Sequence, residues 1–484
     1  MERKCARVLI AAVKSGSGKT FFTCALLEAL KRRGLQVSAF KCGPDYIDPM
    51  FHKTVLGVPS RNLDPFFSDE PQLRELFLQE PVSQIAVLEG AMGLYDGLGG
   101  IRQEGSAYHL ADALKCPILL VVDARGMGRS LIPMLAGFLA YDTGKWIKGV
   151  ILNRTSASFF SSIAPVIRQE LSIPVVGYIP VQKDFKLESR HLGLKMPHEI
   201  QDLKEQIGQA AGILEETVNL DKILEIAEGA EALETEAPEE SERNTVDSER
   251  NAEESEDAEV FASGGRAVIG VARDEAFCFY YEDNLHLLEK MGARLVFFSP
   301  LHDKELPEGL DGILLGGGYP ELYGAELEAN GSMRESIRQA IAGGLPSVAE
   351  CGGFLYLHEK LRDREGGEYA MCGVIPASCY DTGKLVRFGY VTIEEKTPAF
   401  LEKSETIRAH EFHYYDSTDN GADCRAVKPV TGKAWDCIHR TPKSWWGFAH
   451  LYYPSNPCFA EHFVREAARY RKKDENGNSQ NYKF

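Results

Sequence analysis

Two short glycine-containing segments, far apart in the chain, carry residue types suited to chemistry. The first, KSGSGKT at 14–20, follows the apolar run Val8–Val13 and opens the amphipathic stretch Thr20–Arg33. Gly16 and Gly18 let backbone N–H groups approach phosphate oxygens without Cβ clashes. A helix starting there adds partial positive charge, Lys19 reaches the outer phosphates, and Thr20 is suited to ligate Mg2+. The chemistry is nucleotide binding, with Lys14, Gly16, Gly18, Lys19 and Thr20 as the ATP-contacting set. The full phosphate-loop pattern asks for Gly at position 13; Val13 stands there, followed by Lys14. The second segment, PSVAECGG at 346–353, reads as strand, sharp turn and helix with a thiol at the turn, the arrangement of a nucleophile elbow. Gly352 and Gly353 permit the turn. The N–H of Gly352 and one from Gly316-Gly317-Gly318, taken as Gly317, are expected to form an oxyanion hole. The helix N-terminus is expected to lower the Cys351 thiol pKa. A base must come from elsewhere, and by chemistry alone His410, His413 and His450 compete.

Carboxylates belong to the first segment's chemistry. KCGPDYIDP at 41–49 and LEGAMGLYDG at 88–97 each follow an apolar run. Gly-Pro and Asp-Pro fix a tight loop from which Asp45 and Asp48 project, and Glu89 stands at a strand end. In an open parallel sheet the loops at carboxyl ends of strands line the ligand crevice. Carboxylates there, Asp45, Asp48 and Glu89 among them, can hold Mg2+ beside Thr20, because this cation prefers oxygen ligands.

The elements that must position these residues follow from the apolar pattern. Runs at Val8–Val13, Val37–Phe40, Ile85–Leu88, Ile118–Val122, Val150–Leu152 and Val175–Tyr178 alternate with helical stretches, as in a doubly wound α/β domain with a buried parallel sheet. Further strands at Ala267–Val271, Ala293–Phe298, Gly312–Leu315 and Pro346–Ala349, with a helix over Glu282–Met291, predict a second α/β domain. Between them, residues 228–262 hold 14 acidic and 2 basic residues, which leaves about −5 of the net charge of −17 for the rest. That segment lacks the apolar surface to offset ordering entropy and reads as a flexible tether. The expected domains are 1–227 and 263–472, with a disordered tail at 473–484. No basic footprint suggests nucleic acid, no apolar stretch is long enough to span a membrane, and Val8–Val13 is too short for a signal-peptide core. Eleven cysteines without a C-x-x-C pair argue against a disulfide framework or zinc site and fit reduced thiols in the cytosol.

The loop KSGSGKT resembles the deviant phosphate loops of the dethiobiotin-synthetase and MinD-like group. A wider resemblance rests on KCGPDYIDP (41–49), EGAMGLYDG (89–97), VVDARGMGRS (121–130), ILNR (151–154), RHLGL (190–194), VARDEAFCFYYEDNL (271–285), GGGYPEL (316–322), AECGGFLYL (349–357) and EFHYY (411–415). Together these resemble the cobyrinic/hydrogenobyrinic acid a,c-diamide synthases over nearly the whole chain. The resemblance implies an N-terminal P-loop synthetase domain and a C-terminal class I-type glutaminase domain. It implies ATP, Mg2+ and L-glutamine, with cobyrinic acid as the tetrapyrrole acceptor in cobalamin biosynthesis. It assigns Cys351 as nucleophile and His450 as base, Thr20 to the metal with Asp45 and Glu89 as Mg2+ or transition-state residues, places His410 and His413 elsewhere, and puts Tyr46, Asp48 and His191 beside the substrate. Asn153 occupies the place of an adenine-contacting Asn. Many class I glutaminases orient the histidine with a Glu two residues later; Tyr452 stands there, so the third member of the triad is open. Hydrogenobyrinic acid and nickel sirohydrochlorin are alternative acceptors, and GPDYIDP at 43–49 disfavours cobyric acid synthase. A non-catalytic MinD-like ATPase switch is the alternative from another class; it has no counterpart to Cys351 in its elbow.

Overall fold

A computed structural model of the chain describes residues 2–79, 83–181, 189–190, 193–194, 203–234 and 266–481. His191 lies outside them. The chain divides into two compact units, Met1–Glu242 and Arg243–Phe484.

The first unit is built on one seven-stranded, wholly parallel sheet. Its strands are β1 (Arg7–Ala12), β2 (Val37–Cys42), β3 (Ser60–Leu63), β4 (Ile85–Glu89), β5 (Ile118–Asp123), β6 (Ile147–Asn153) and β7 (Val175–Ile179), in spatial order β3-β2-β4-β1-β5-β6-β7. β1 and β2 are buried at every position, because helices cover both faces of such a sheet. The expected runs became strands: four are extended by one or two residues, Val150–Leu152 grows to Ile147–Asn153, and Val8–Val13 is shifted by one to Arg7–Ala12. Strand β3 was not expected: its sequence SRNL lacks an apolar run, and it survives at the sheet edge by pairing with β2 alone. The order reverses on either side of β1, so the crevice at its carboxyl end is where a ligand binds such a sheet. Helix α1 (Lys19–Arg32) starts there.

Residues 229–234, assigned above to the tether, pack on this unit. Leu233 is fully buried, and Leu233–Glu234 pairs antiparallel with Glu2–Arg3. The reason lies in Arg7, buried with no carboxylate among its hydrogen-bond acceptors. Its guanidinium is held by the carbonyls of Leu114, Cys5, Lys115 and Glu231, the last at 2.6 Å. A buried charge needs those acceptors, and Glu231 supplies one. The expected tether beyond 234 lies outside the described residues.

The two largest sheets of the second unit have six strands and, wholly antiparallel, five; a four-stranded and a two-stranded sheet accompany them. The six comprise β8 (Ala267–Ala272), β9 (Ala293–Phe298), β10 (Gly312–Leu315), β11 (Ser347–Glu350), β16 (His439–Thr441) and β17 (Ser444–Gly447), ordered β9-β8-β10-β11-β17-β16 with β16 antiparallel at the edge. Helix α2 (Glu282–Lys290) follows β8, and the one-and-a-half-turn helix α3 (Gly352–Leu357) follows β11. The five-stranded sheet, β15-β14-β12-β13-β18, is made of β12 (Arg387–Glu395), β13 (Thr406–His413), β14 (Cys424–Val427), β15 (Ala434–Cys437) and β18 (His450–Leu451). Alternation in β12 and β13 puts Val391, Ile393, Ile407 and Ala409 in the core, while polar and aromatic residues take the other positions. Only Phe448 and Ala449 separate β17 from β18, so the chain steps from one sheet to the other just before His450. The last helix, α4 (Cys458–Asn481), continues through 473–481, assigned above to a disordered tail. The helix-forming run Arg465–Lys473 carries it, and residues 474–481 contain no proline to end it. All eleven cysteines are free. Among the described residues no helix is long and apolar enough to cross a membrane.

Candidate active sites

In the first unit the phosphate loop leaves β1 and enters α1 through Gly18, whose φ of +95° is left-handed. A Cβ on Gly18 would also fall 2.3 Å from the Asn153 amide nitrogen, so glycine is required twice over. Asn153, at the end of β6, is buried and braces the loop: its amide donates to the Ser17 carbonyl at 2.7 Å, and its oxygen accepts the Arg154 N–H at 2.8 Å. Arg154 ties the Gly16 carbonyl to Asp123 with two 2.8–2.9 Å contacts. The placement accounts for an Asn here by loop support, a role the sequence did not indicate. Lys14 is exposed, and its carbonyl accepts the Ser17 hydroxyl at 2.8 Å. Lys19 folds back to donate to the Met92 carbonyl. Burial lowers its ammonium to about 8, with neighbouring Lys41 adding to the effect and Glu89 opposing it.

The carboxylates converge on a buried cation that the sequence reading passed over. Lys41, at the end of β2, is ion-paired with Asp48, with Glu89 at 3.0 Å and with Asp45 at 3.9 Å. Burial opposes its charge, but Asp48 and Glu89 outweigh burial and hold its pKa well above the ordinary value. A lysine closing a wholly buried strand, VSAFKC, was the available signal. Asp48 does not project from its loop as expected: it is 4% exposed and sealed against Lys41. Asp45 caps the turn that follows, its Oδ1 accepting the N–H groups of Ile47 and Asp48 at 2.8 and 3.2 Å. Tyr46 is half-buried beside it. Glu89 is fully buried at the end of β4 and accepts the Thr20 hydroxyl at 2.6 Å. Burial, opposed by Lys41, pushes its carboxyl up to about 7. Its second oxygen has no hydrogen-bond partner, and His52 Nε2 lies 4.0 Å from it. Burial lowers His52 to about 4, so this ring is neutral.

These residues fit Mg2+. The donor set is hydroxyl and carboxylate oxygen, and the orphaned Glu89 oxygen is a buried acceptor that a cation would satisfy. Mg2+ takes one or two protein oxygens and completes its shell with water and phosphates. A site of that kind needs no closed cage, and no group of three or more His, Cys, Asp or Glu side chains forms one among the described residues.

In the second unit Cys351 joins β11 to α3 with φ +47° and ψ −101°. A non-glycine residue held there is strained, and nucleophile elbows store strain of this kind. The turn is locked by Cys351 N–H on the Gly447 carbonyl at 2.8 Å and Gly353 N–H on the Gly316 carbonyl at 2.9 Å. A Cβ on Gly353 would meet the Leu315 carbonyl oxygen at 2.1 Å, so no other residue fits. The Gly316 N–H is spent on the Tyr280 hydroxyl at 2.9 Å. Gly317 and Gly318 come next, and the Gly318 nitrogen lies 3.0 Å from where a Cβ on Gly352 would fall. The Gly318 backbone and Gly352 thus approach one another closely beside the elbow.

His450 is brought to the same place. Its Cε1 lies 2.3 Å from where a Cβ on Gly317 would fall. Of the three competing histidines, His410 sits opposite His450 in the β13–β18 ladder, and His413 stacks on Phe448 at 4.0 Å. Burial lowers His450 to about 3, with His413 adding to it. The Cys351 thiol departs from expectation. Burial pushes its pKa well up and Glu321 adds to that, while only the Gly352 N–H pulls it back. A helix as short as α3 does not outweigh the desolvation. Thiol and imidazole are both neutral in this geometry. Tyr452, where a Glu was sought, points its hydroxyl at Asp283 at 2.9 Å. Sequence reasoning also missed Glu350, whose buried carboxylate lies 3.9 Å from His450 Nδ1 and accepts the Tyr453 hydroxyl at 3.1 Å.

Residues 8–194 match the CobQ/CobB/MinD/ParA nucleotide binding domain, and residues 268–441 the CobB/CobQ-like glutamine amidotransferase domain. Over nearly full length the chain is similar to proteins named cobyrinate a,c-diamide synthase. One from Listeria innocua serovar 6a is 38% identical over 93% of this chain and 97% of its own. One from Salmonella typhimurium is 37% identical over 95% and 98%. One from Thermoplasma volcanium is 36% identical over 98% and 99%.

Proposed function

The chain belongs to the cobyrinate a,c-diamide synthase family, and from that premise we propose that it converts the a- and c-acetate carboxylates of cobyrinic acid to amides in the cytosol, using ATP, Mg2+ and L-glutamine. The carrying observation is the presence in one chain of two constellations: Lys19, Thr20 and Glu89 around a phosphate loop, and Cys351 in a strained elbow with His450 against the facing glycines.

Cys351 Sγ attacks the side-chain amide carbon of glutamine while its proton passes to His450. The oxyanion that forms is held by the N–H groups of Gly352 and Gly317. His450 returns the proton to the leaving nitrogen, ammonia departs, and water releases glutamate from the thioester. In the first unit Lys19 and the loop N–H groups hold the ATP phosphates, with Lys14, Gly16 and Gly18 shaping the cradle and Asn153 bracing it. The γ-phosphoryl group passes to a substrate carboxylate, whose oxygen thereby leaves as phosphate when ammonia attacks the acyl carbon. Thr20, Glu89 and Asp45 would hold Mg2+, which supplies neutralising charge to the phosphates when bound. Tyr46 and Asp48 are assigned to the acceptor side of this site, Asp48 acting through Lys41, and His191 is assigned there by motif alone.

The test is mass spectrometry of cobyrinic acid incubated with the protein, MgATP and amide-15N glutamine. The expected product carries two 15N amides per ring and needs every component. Glutamine hydrolysis without product would redirect the acceptor to hydrogenobyrinic acid or nickel sirohydrochlorin.

A further inference from the structure

We propose that Glu350 is the positioning residue of the glutaminase site, holding His450 and stabilising its protonated form while the glutamine amide is cleaved. The inference rests on the reading of Cys351 and His450 given above. Glu350 closes β11 and is the residue immediately before Cys351, so the strand that sets the nucleophile also sets this carboxylate. Its Oε2 lies 3.9 Å from His450 Nδ1. Its Oε1 accepts the Tyr453 hydroxyl at 3.1 Å, and the Leu451 N–H favours its anionic form. Both groups follow His450 on its own segment, so the carboxylate holds that segment through the phenol at 453 and faces the imidazole at 3.9 Å.

The segment is held from its other side as well. The Asn284 amide donates to the Leu451 carbonyl at 2.8 Å and accepts the Tyr453 N–H at 2.9 Å, and Tyr452 reaches Asp283. Tyr452 thus faces α2, and the acid approaches the imidazole from β11. An acid beside the distal imidazole nitrogen fixes the ring and favours the imidazolium that forms when the thiol gives up its proton. Glu350 lies within ion-pair range of His450 Nδ1 and places a carboxyl group there. The other titratable groups close to His450 are His410, opposite it in the ladder, and His413, both lowered by burial, to about 3 and about 4. Neither supplies the negative charge. Burial pushes Glu350 itself up to about 8, with Tyr453 and Leu451 pulling it down. Once ionised, the carboxylate faces the imidazolium that forms when His450 takes the Cys351 proton, and that charge pair holds the proton on His450 until it passes to the leaving nitrogen.

The test reads the Cys351–His450 pair directly. In the full-length protein, the rate of Cys351 alkylation by iodoacetamide is followed against pH by peptide mass mapping, beside glutaminase kcat and KM. Glu350→Gln keeps an acceptor for Tyr453 and removes the charge. It is expected to shift the alkylation midpoint to higher pH and to lower kcat about 100-fold with KM little changed, the direction seen when an orienting acid is neutralised. Glu350→Asp is expected to restore the profile in part. Should Glu350→Gln fail to fold, Tyr453→Phe carries the same test, because loss of the phenol makes the carboxylate harder to ionise and moves the midpoint the same way. An alkylation profile superimposable on the wild type in the folded variant overturns the proposal. Cys351→Ala separates this from the reading beneath it: if that variant still hydrolyses glutamine, the nucleophile assignment fails, whereas its inactivity beside an unchanged Glu350→Gln rejects Glu350 alone.

Discussion

At the residue scale, both sites depend on charge held out of water. Lys41 is the clearest case. Its ammonium neutralises Asp48 and Glu89 where neither side chain has appreciable exposure. Lys41→Met is expected to destabilise the protein by roughly 3–5 kcal/mol, the cost of leaving buried charges without their partner. Urea unfolding against wild type measures it, and a loss below about 1 kcal/mol would mean that the carboxylates simply take up protons. Glu89→Gln, which keeps the Thr20 contact in shape but removes the charge, is expected to abolish most MgATP turnover, read as phosphate release. A variant with full turnover would remove Glu89 from the metal set.

At the element scale, the turn between β11 and α3 tolerates almost nothing. Gly353→Ala would press a methyl onto the Leu315 carbonyl of the neighbouring strand. Because both partners are backbone, the expected cost exceeds about 2 kcal/mol, the range of an overpacked core, with loss of glutaminase activity. Thermal unfolding and glutamate release check the two together. The far end of α3 offers a pH test. His358 is buried between the Phe354 carbonyl and the Ser417 hydroxyl, and burial lowers it from 6.5 to about 4. The unfolded chain therefore binds this proton more readily than the folded one. The stability it supports is complete above pH 6.5 and is lost as pH falls toward 4, at up to about 1.4 kcal/mol per unit. Compared with His358→Gln, the wild type's advantage should narrow over that window in denaturant titrations. Parallel curves would show that His358 is protonated in the native state.

At the scale of the whole molecule, the two chemistries reside on two compact units, each with its own sheets and buried core. The half-reactions should therefore be separable by mutation. Cys351→Ala is expected to abolish glutamine-dependent synthesis and to retain synthesis from added ammonium chloride. Lys19→Ala is expected to lose synthesis from either nitrogen source and to keep glutamine hydrolysis. Amide formation and glutamate release, measured side by side, check both. Loss of ammonia-dependent synthesis in Cys351→Ala would mean that the thiol serves more than the glutaminase step.

Features that depend on local pattern were legible in the amino-acid order. The parallel strands could be read because a strand buried on both faces must be apolar throughout. The phosphate loop and the elbow could be read because each needs glycine at fixed offsets beside one reactive side chain. Cys351, Lys19 and Thr20 followed from that, and His450 came only with the family resemblance. Other features required the folded chain, because folding brings together residues with no local signature. Lys41 and Glu89 meet across adjacent strands, and the polar edge strand at Ser60 has no periodicity to announce it. Residues 229–234 belong to the first unit because a buried arginine far earlier in the chain needs the Glu231 carbonyl. His450 joins its antiparallel sheet through a two-residue strand, His450–Leu451, whose pairing with Thr406–His413 is non-local. Burial also reversed the sign of one expectation: a helix N-terminus is visible in sequence, but the desolvation that outweighs it at Cys351 depends on every element packed around the thiol.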